Sequence, residues 1–267
     1  MIDIHSHILP GVDDGAKDMA AALEMARMAA DDGIKKMIAT PHLFRGSDSA
    51  SGFEEIEKAR KEFTEAIKEN DIPLEVFTGA EVHISHNLID EIRVHRRFLV
   101  LNQSRYMFIE FPSEHVFSGV KDLVFELMTE GIIPIIAHPE RNSIFRRNPN
   151  FLYELLQMGV LSQVNQGSFN GIYGTHVQEA VFRFLELGYV HFLATDCHNT
   201  WVMPPRLSEA VKKAAAIIGD ENARKLVEDN PLCVIEDKEV SFIPEPKKAE
   251  AKRKTFKIKL PSFMQKK

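Results

Sequence analysis

The stretch "GIIPIIAHPER", Gly131 to Arg141, holds within one short segment the alternation on which the fold turns. Before it, residues 116–130 carry Val120, Leu123, Leu127 and Met128 at helical spacing. Gly131 then supplies the residue that most readily closes a helix through a left-handed turn. The run that follows is apolar on both faces up to Ala137, as a parallel strand buried from both sides must be. Polar chemistry arrives abruptly at the end of that strand, with His138 and, three residues on, Arg141.

The same unit recurs along the chain. Short apolar runs appear as "MIDIH", "KKMIATPH", "LEVFTGAEV", "YMFIEF", "LSQVNQG" and "VHFLATDCH". Between most of them lie helical patterns at 18–32, 54–69, 151–158 and 177–187, three of which stop at Gly33, Gly159 and Gly188. The methionines and leucines of these patterns are core residues. Strand and helix alternating about every 25 to 35 residues predict an α/β fold with a parallel sheet and right-handed crossovers. Seven such units fit either a closed barrel or a doubly wound open sheet, and periodicity does not choose between them.

The ionisable residues fall at the strand ends, where barrels of this kind carry their chemistry. His5 and His7 end the first run, His42 the second, Glu81 the third, Glu110 the fourth and His138 the fifth, while Asp196 and His198 end the seventh. The sixth offers only Gln163, Asn165 and Gln166. Residues i and i+2 of a strand share a face, so His5 with His7, and Asp196 with His198, are predicted to share a metal ion. Imidazole with carboxylate suits zinc, manganese or iron(II). With Asp14 added, nine candidates exceed what one ion takes and predict a cluster of two or three ions bridged by a carboxylate.

A paired-metal site acidifies water and stabilises in-line displacement at phosphorus. Phosphate ester hydrolysis is therefore the leading expectation, with amidohydrolase chemistry at a carbonyl as the rival. Arg141, placed to clamp phosphate oxygens beside the cluster, favours phosphorus. A thiol phosphatase needs an arginine six residues after its cysteine; Met203 and Glu239 stand at those positions after Cys197 and Cys233. A Gly-Lys-Ser/Thr phosphate loop is also missing from the sequence.

Composition sets the remaining bounds. The chain has 267 residues, 44% hydrophobic and 27% charged, with no apolar run long enough to span a bilayer and no signal-peptide pattern. Two cysteines suit a reducing cytoplasm. The net charge of −6 conceals an asymmetry: residues 244–267 carry nine Lys/Arg and two Glu. Removing these from totals of 33 and 39 leaves 24 basic and 37 acidic residues, a balance of −13. An acidic body argues against nucleic acid as its partner. The division is thus 1–243 for the catalytic unit and 244–267 for a basic, flexible tail, with docking of that tail on a partner or an anionic membrane surface as the sharper reading.

The motifs "IDIHSHILPGVDDG", "ATPH", "GAE", "SRYMFIEF", "IIAHPER", "QVNQGS", "ATDCHN" and "DNP" resemble the PHP-type bacterial tyrosine phosphatases of capsule and exopolysaccharide gene clusters. The resemblance runs from Met1 to Pro231, and the "HSHILPGVDDG" form separates this branch from histidinol phosphatases and polymerase-associated domains. It implies a distorted seven-stranded (β/α)7 barrel and a three-metal site supported by manganese, with iron, zinc or magnesium as alternatives. It also implies a substrate, the phosphorylated C-terminal tail of a bacterial tyrosine kinase. By this resemblance His5, His7, Glu81 and Asp196 hold one ion. Glu81 bridges to a second bound by Glu110 and His138, and Asp14, His42 and His198 surround the third. Arg141 matches the phosphate-binding arginine, and with His42 and His198 it makes the catalytic set, in which a metal-activated hydroxide attacks phosphorus. A second arginine is expected before the Pro-Pro pair, but Met203 stands there; Arg206 follows the pair and is carried as a phosphate-binding candidate. The alternative is a phosphatase or phosphodiesterase of the same superfamily acting on a small molecule or a nucleic-acid end.

Overall fold

The computed structural model describes residues 1–44, 52–85 and 87–250. Most of the predicted basic tail, 251–267, lies outside the described residues. The chain begins with β1 (Ile2–Ser6), α1 (Met19–Asp31), β2 (Lys36–Ala39), β3 (His42–Leu43) and α2 (Phe53–Glu69). β4 (Glu75–Thr78), β5 (Glu81–His83), α3 (Leu88–Leu99), β6 (Tyr106–Glu110), α4 (Val120–Thr129) and β7 (Ile133–Ala137) follow. The second half holds α5 (Ser143–Arg147), α6 (Pro149–Gln157), β8 (Leu161–Asn165), α7 (Gln166–Phe169), α8 (Thr175–Glu186) and β9 (Phe192–Ala194). Three short helices close it: α9 (Ser208–Ile218), α10 (Asp220–Lys225) and α11 (Asp229–Ile235).

All strand pairs are parallel, in a three-stranded sheet β1-β2-β4 and a six-stranded sheet β3-β5-β6-β7-β8-β9. Two runs read as single strands are each broken in two. Thr40 and Pro41 separate β2 from β3, and proline has no N–H for a ladder. Gly79 and Ala80 separate β4 from β5. At the other margin the end of β1 meets the segment after β9 through a parallel bridge, Ser6 to Cys197, with Asp196 N donating to His5 O at 2.9 Å.

Period-two alternation divides the core. Ile38, Tyr106, Phe108, Ile135, Leu161 and Phe192 face one cluster, which Val234 of α11 joins. Met37, Met107, Ile109, Ile136, Val164 and Leu193 face the larger cluster that the helices cover. The strands therefore bury both faces, which explains their near-continuous apolar runs. α4 ends as its sequence predicts: Gly131 takes φ +73°, and Ile132 N reaches back to Leu127 O at 3.0 Å before entering β7. Its start is four residues later than the spacing suggests, because His115 N and Val120 N close turns on Pro112 O and Phe117 O. α3 escapes the sequence reading altogether, since Asp90, Glu91, Arg93, Arg96 and Arg97 are spread along it and His95 departs from helical geometry. Among the described residues no helix is long and apolar enough to cross a membrane.

Candidate metal centre

His5 lies in β1, His42 opens β3, Glu81 opens β5 and Glu110 closes β6. His7, His138, Asp196 and His198 lie just beyond strands, and Asp14 sits in the loop between β1 and α1. Donor atoms of His5, His7, Glu81 and Asp196, all buried, lie within 4.8 Å of one another. So do those of His7, Asp14, His42 and His198, and those of His42, Glu81 and Glu110. Asp14 is exposed and His42 and His198 are partly so, which makes theirs the solvent side of the cluster. The shared-face argument holds for His5 and His7. It does not explain Asp196 and His198, because β9 ends at Ala194 and Asp196 adopts φ +51°. A left-handed turn, not a strand, joins the pair, and it sends their donor atoms to different groups, Asp196 to that of His5, His7 and Glu81 and His198 to that of His7, Asp14 and His42.

Glu81 is the hub. Its Oε1 is 2.8 Å from His138 Nε2. Its Oε2 is 2.9 Å from His42 Nδ1, 3.3 Å from His5 Nε2 and 3.4 Å from His7 Nε2, yet this fully buried oxygen accepts no well-formed hydrogen bond. Asp196 Oδ1 stands 3.2 Å from His7 Nε2 and 3.5 Å from His5 Nε2. The two Nε2 atoms face each other at 3.3 Å, a contact that two N–H groups cannot make. Asp14 Oδ1 lies 3.4 Å from His42 Nε2 and 3.3 Å from His198 Nε2. A buried carboxylate oxygen without a well-formed hydrogen bond is costly, and imidazole nitrogens crowded this closely repel whether both carry protons or both carry lone pairs. A divalent cation relieves both, so these residues fit a metal site.

The outer nitrogens fix which inner nitrogens carry lone pairs. His5 Nδ1–H donates to Gln163 Oε1 at 2.8 Å, His7 Nδ1–H to Asp13 Oδ2 at 2.7 Å, and His198 Nδ1–H to Asp196 O at 2.9 Å. Each leaves Nε2 as the ligating atom. Asp13 is held in turn by Gly15 N and His42 N, at 3.0 and 3.2 Å. Gly15 lies so close to His7 that a Cβ would sit 2.0 Å from its carbonyl oxygen, so only glycine fits in "DDG". Gln163 Nε2 donates to Asn165 Oδ1 at 2.8 Å, and Asn165 Nδ2 to Asp196 Oδ2 at 2.5 Å, a chain of amides joining two candidate ligands. Glu140, buried, accepts from Asn165 N and Ser168 Oγ at 2.9 and 2.6 Å and ties the turn after β7 to the end of β8. Burial raises its carboxyl above the ordinary range. His138, like Asp196, adopts a left-handed conformation, φ +33°, a strain of about 1–3 kcal/mol that clusters at functional sites.

Charge follows the same pattern. Burial opposes the imidazolium forms of His5 and His7, but Glu81 and Asp196 outweigh it at His5, and Asp13 does so at His7. His42 is likewise opposed by burial and pushed up to about 9 by Asp14 and Glu81. Burial works to raise Glu81, yet His5 and His138 bring it well below its ordinary value. Metal-free, the cluster holds protons that a cation must displace.

Arg141 NH1 donates to Asp196 Oδ2 at 2.9 Å, and its guanidinium lies 4.6 Å from the centre of the Tyr173 ring. Tyr173 Oη donates to Met203 Sδ at 3.2 Å, in the place where an arginine was expected. Arg206 is exposed and lines a groove with Glu24, Arg27, Asp31 and Asp32; none of the nine ligand candidates lines that groove. Sequence reasoning did not single out Asp13, His83, Glu140 or Tyr173, and it set aside Gln163 and Asn165. His83 Nδ1 lies 3.1 Å from Glu110 Oε2. The available signal was polarity inside a fully buried strand, at Gln163 and Asn165.

A family model for capsular polysaccharide synthesis, CpsB/CapC, matches residues 1–236. Tyrosine-protein phosphatase YwqE of Bacillus subtilis (strain 168) is 36% identical over 260 residues, covering 96% of this chain and 99% of that protein. A solved structure described as YwqE from Bacillus subtilis and CpsB from Streptococcus pneumoniae, unique metal-dependent tyrosine phosphatases, aligns with TM-score 0.88 at 36% identity over 94% of this chain and 100% of its own. An organophosphorus hydrolase variant from Deinococcus radiodurans, 16% identical, aligns with TM-score 0.57 over 88% of this chain and 92% of its own, a likeness of fold alone.

Proposed function

The chain belongs to the CpsB/CapC family of capsular polysaccharide synthesis, and from that premise we propose that it is a metal-dependent protein-tyrosine phosphatase. One observation carries the reading: four imidazoles converge on the buried Glu81 carboxylate within 3.4 Å, and Arg141 sits beside them on Asp196. The strands are read as a distorted seven-stranded barrel, with β2–β3 and β4–β5 each counted as one interrupted strand. Residues 1–243 form the catalytic unit, and 244–267 a basic segment whose start is laid against that unit, with Lys247 N on Leu187 O at 2.8 Å and Ala249 N on Asn150 Oδ1 at 2.8 Å.

His5, His7, Glu81 and Asp196 would hold one ion, Glu81, Glu110 and His138 a second, and Asp14, His42 and His198 a third. Manganese is the first choice among manganese, iron, zinc and magnesium. Bound ions would acidify a water as nucleophile and neutralise phosphoryl charge. Asp196 holds one edge of the Arg141 guanidinium and Tyr173 covers a face, which orients its remaining N–H groups toward phosphoryl oxygens. The phenolate leaving group, with a pKa of about 10, needs little acid assistance. His42 and His198, at the solvent side, would act through the ion they hold, whose bound water would supply that proton. The substrate is phosphotyrosine on the C-terminal tail of a bacterial tyrosine kinase, met in the cytoplasm.

The test pairs metal analysis of the purified protein with hydrolysis of phosphotyrosine peptide, histidinol phosphate and single-stranded DNA, before and after chelation. Peptide turnover that chelation abolishes and Mn²⁺ restores is the expected result. Turnover of the DNA or of histidinol phosphate in preference to the peptide would refute the assignment.

A further inference from the structure

The only tryptophan of the chain, Trp201, is 75% exposed, and its neighbour Val202 is 49% exposed. They stand three and four residues beyond His198, on a loop whose backbone is locked. Asn199 Oδ1 accepts from Trp201 N, Val202 N and Met203 N at 3.1, 2.7 and 3.1 Å. His198 N closes the loop on Met203 O at 3.1 Å. The indole itself contributes little to that shape. An aromatic side chain kept in water on a rigid base loses little conformational freedom when it meets a partner.

The position of this loop is as informative as its exposure. A cavity of about 490 Å³ is lined by Trp201, Asn199, His198, Asp14 and Lys17, among others. His198 and Asp14 are solvent-side members of the candidate metal cluster, so that side of the cluster and Trp201 border one cavity, with the exposed indole at its rim. A phosphotyrosine delivers its phosphorus at the tip of a long side chain. With phosphorus at the cluster, the ring fills the opening and the peptide backbone must cross the rim. Residues on either side of the phosphotyrosine then pass over whatever the rim presents, whereas a simple aryl phosphate ends inside it.

We propose that Trp201, backed by Val202, is a specificity-determining residue that grips the peptide flanking the phosphotyrosine and lets the enzyme prefer phosphorylated protein segments over free aryl phosphates. This rests on the reading of the site as a tyrosine phosphatase. Trp201 takes no part in the bond-breaking step.

Two measurements test it on the full-length, Mn²⁺-loaded protein. Kinetics of wild type, W201A and W201F compare a phosphotyrosine decapeptide with phenyl phosphate. In W201A the ratio of kcat/KM for peptide over phenyl phosphate should fall about tenfold or more, through KM, and W201F should recover part of it. An unchanged ratio, or equal losses on both substrates, overturns the proposal. Fluorescence of the sole tryptophan is then followed while a peptide carrying a non-hydrolysable phosphonomethyl-phenylalanine is added. A blue shift with the peptide and none with inorganic phosphate is expected, and no shift at saturation also overturns it. Should wild type hydrolyse neither substrate, the phosphatase reading falls, and the fluorescence titration still decides whether the indole meets the peptide.

Discussion

Asp13→Asn changes one atom and removes one charge, and its outcome can be worked through bond by bond. The native carboxylate accepts three hydrogen bonds: His7 Nδ1–H and His42 N–H on Oδ2, and Gly15 N–H on Oδ1. An asparagine has one carbonyl oxygen. Placed toward Gly15, it turns its NH2 on His7 and forces the imidazole proton to Nε2, where it points at Glu81 and Asp196. Placed toward His7 it keeps two partners and strands Gly15 N–H, at about 1–3 kcal/mol. The second orientation is cheaper and will prevail. Even so, a neutral amide is a weaker acceptor than a carboxylate, and the negative charge that made His7 basic is gone. Partners of this kind are worth about 10- to 100-fold in metal affinity, or roughly 1.4–2.7 kcal/mol. Titration calorimetry of Mn²⁺ into chelator-stripped protein should show that loss. Melting of the stripped protein should fall by about 2–4 °C per kcal/mol. A lowered melting point with undiminished Mn²⁺ affinity would refute the reasoning, leaving Asp13 as a brace for its loop and nothing more.

Three further outcomes are expected. Arg141→Ala should keep its metals, measured by elemental analysis, while kcat on phenyl phosphate falls about 10²- to 10³-fold; loss of metal along with rate would assign Arg141 to cluster assembly through Asp196. Gln163→Leu leaves His5 Nδ1–H and Asn165 Oδ1 without their partners, so metal affinity should drop about tenfold or more, and equal affinity in the two proteins would dismiss the amide chain. Burial pushes His191, whose Nδ1 accepts from Ser162 N, down to about 3. The unfolded chain therefore takes up this proton from about pH 6.5 downward while the folded chain refuses it. Stability from this group is complete above pH 6.5 and is lost as pH falls toward 3, by about 2 kcal/mol at pH 5. Denaturant melts of His191→Gln at pH 7 and pH 5 should show a smaller difference than wild type, and an equal difference would exclude His191 as the source.

What the sequence made legible was local. An apolar run that ends in histidine announces itself within a few residues, so His5, His42, His138 and their kin could be picked out one strand at a time. The hydrogen bonds that orient them were not legible, because they are made between strands. His5 meets Gln163 across 158 positions of sequence. Whether an amide inside β8 is a poorly buried accident or the acceptor for a ligand depends on which strands adjoin it. Breaks in strands were equally hidden, since "KKMIATPH" reads as one run until Pro41 withholds its N–H. The departure at Met203 belongs between these cases. Its identity is plain from sequence, but its consequence needs Tyr173, which donates to the Met203 sulfur while covering Arg141. With Arg206 turned to an acidic groove, the cationic side chain found against the cluster is Arg141. The loss expected for Arg141→Ala should then lie at the upper end of its range, because among the described residues no second guanidinium is paired with a candidate ligand.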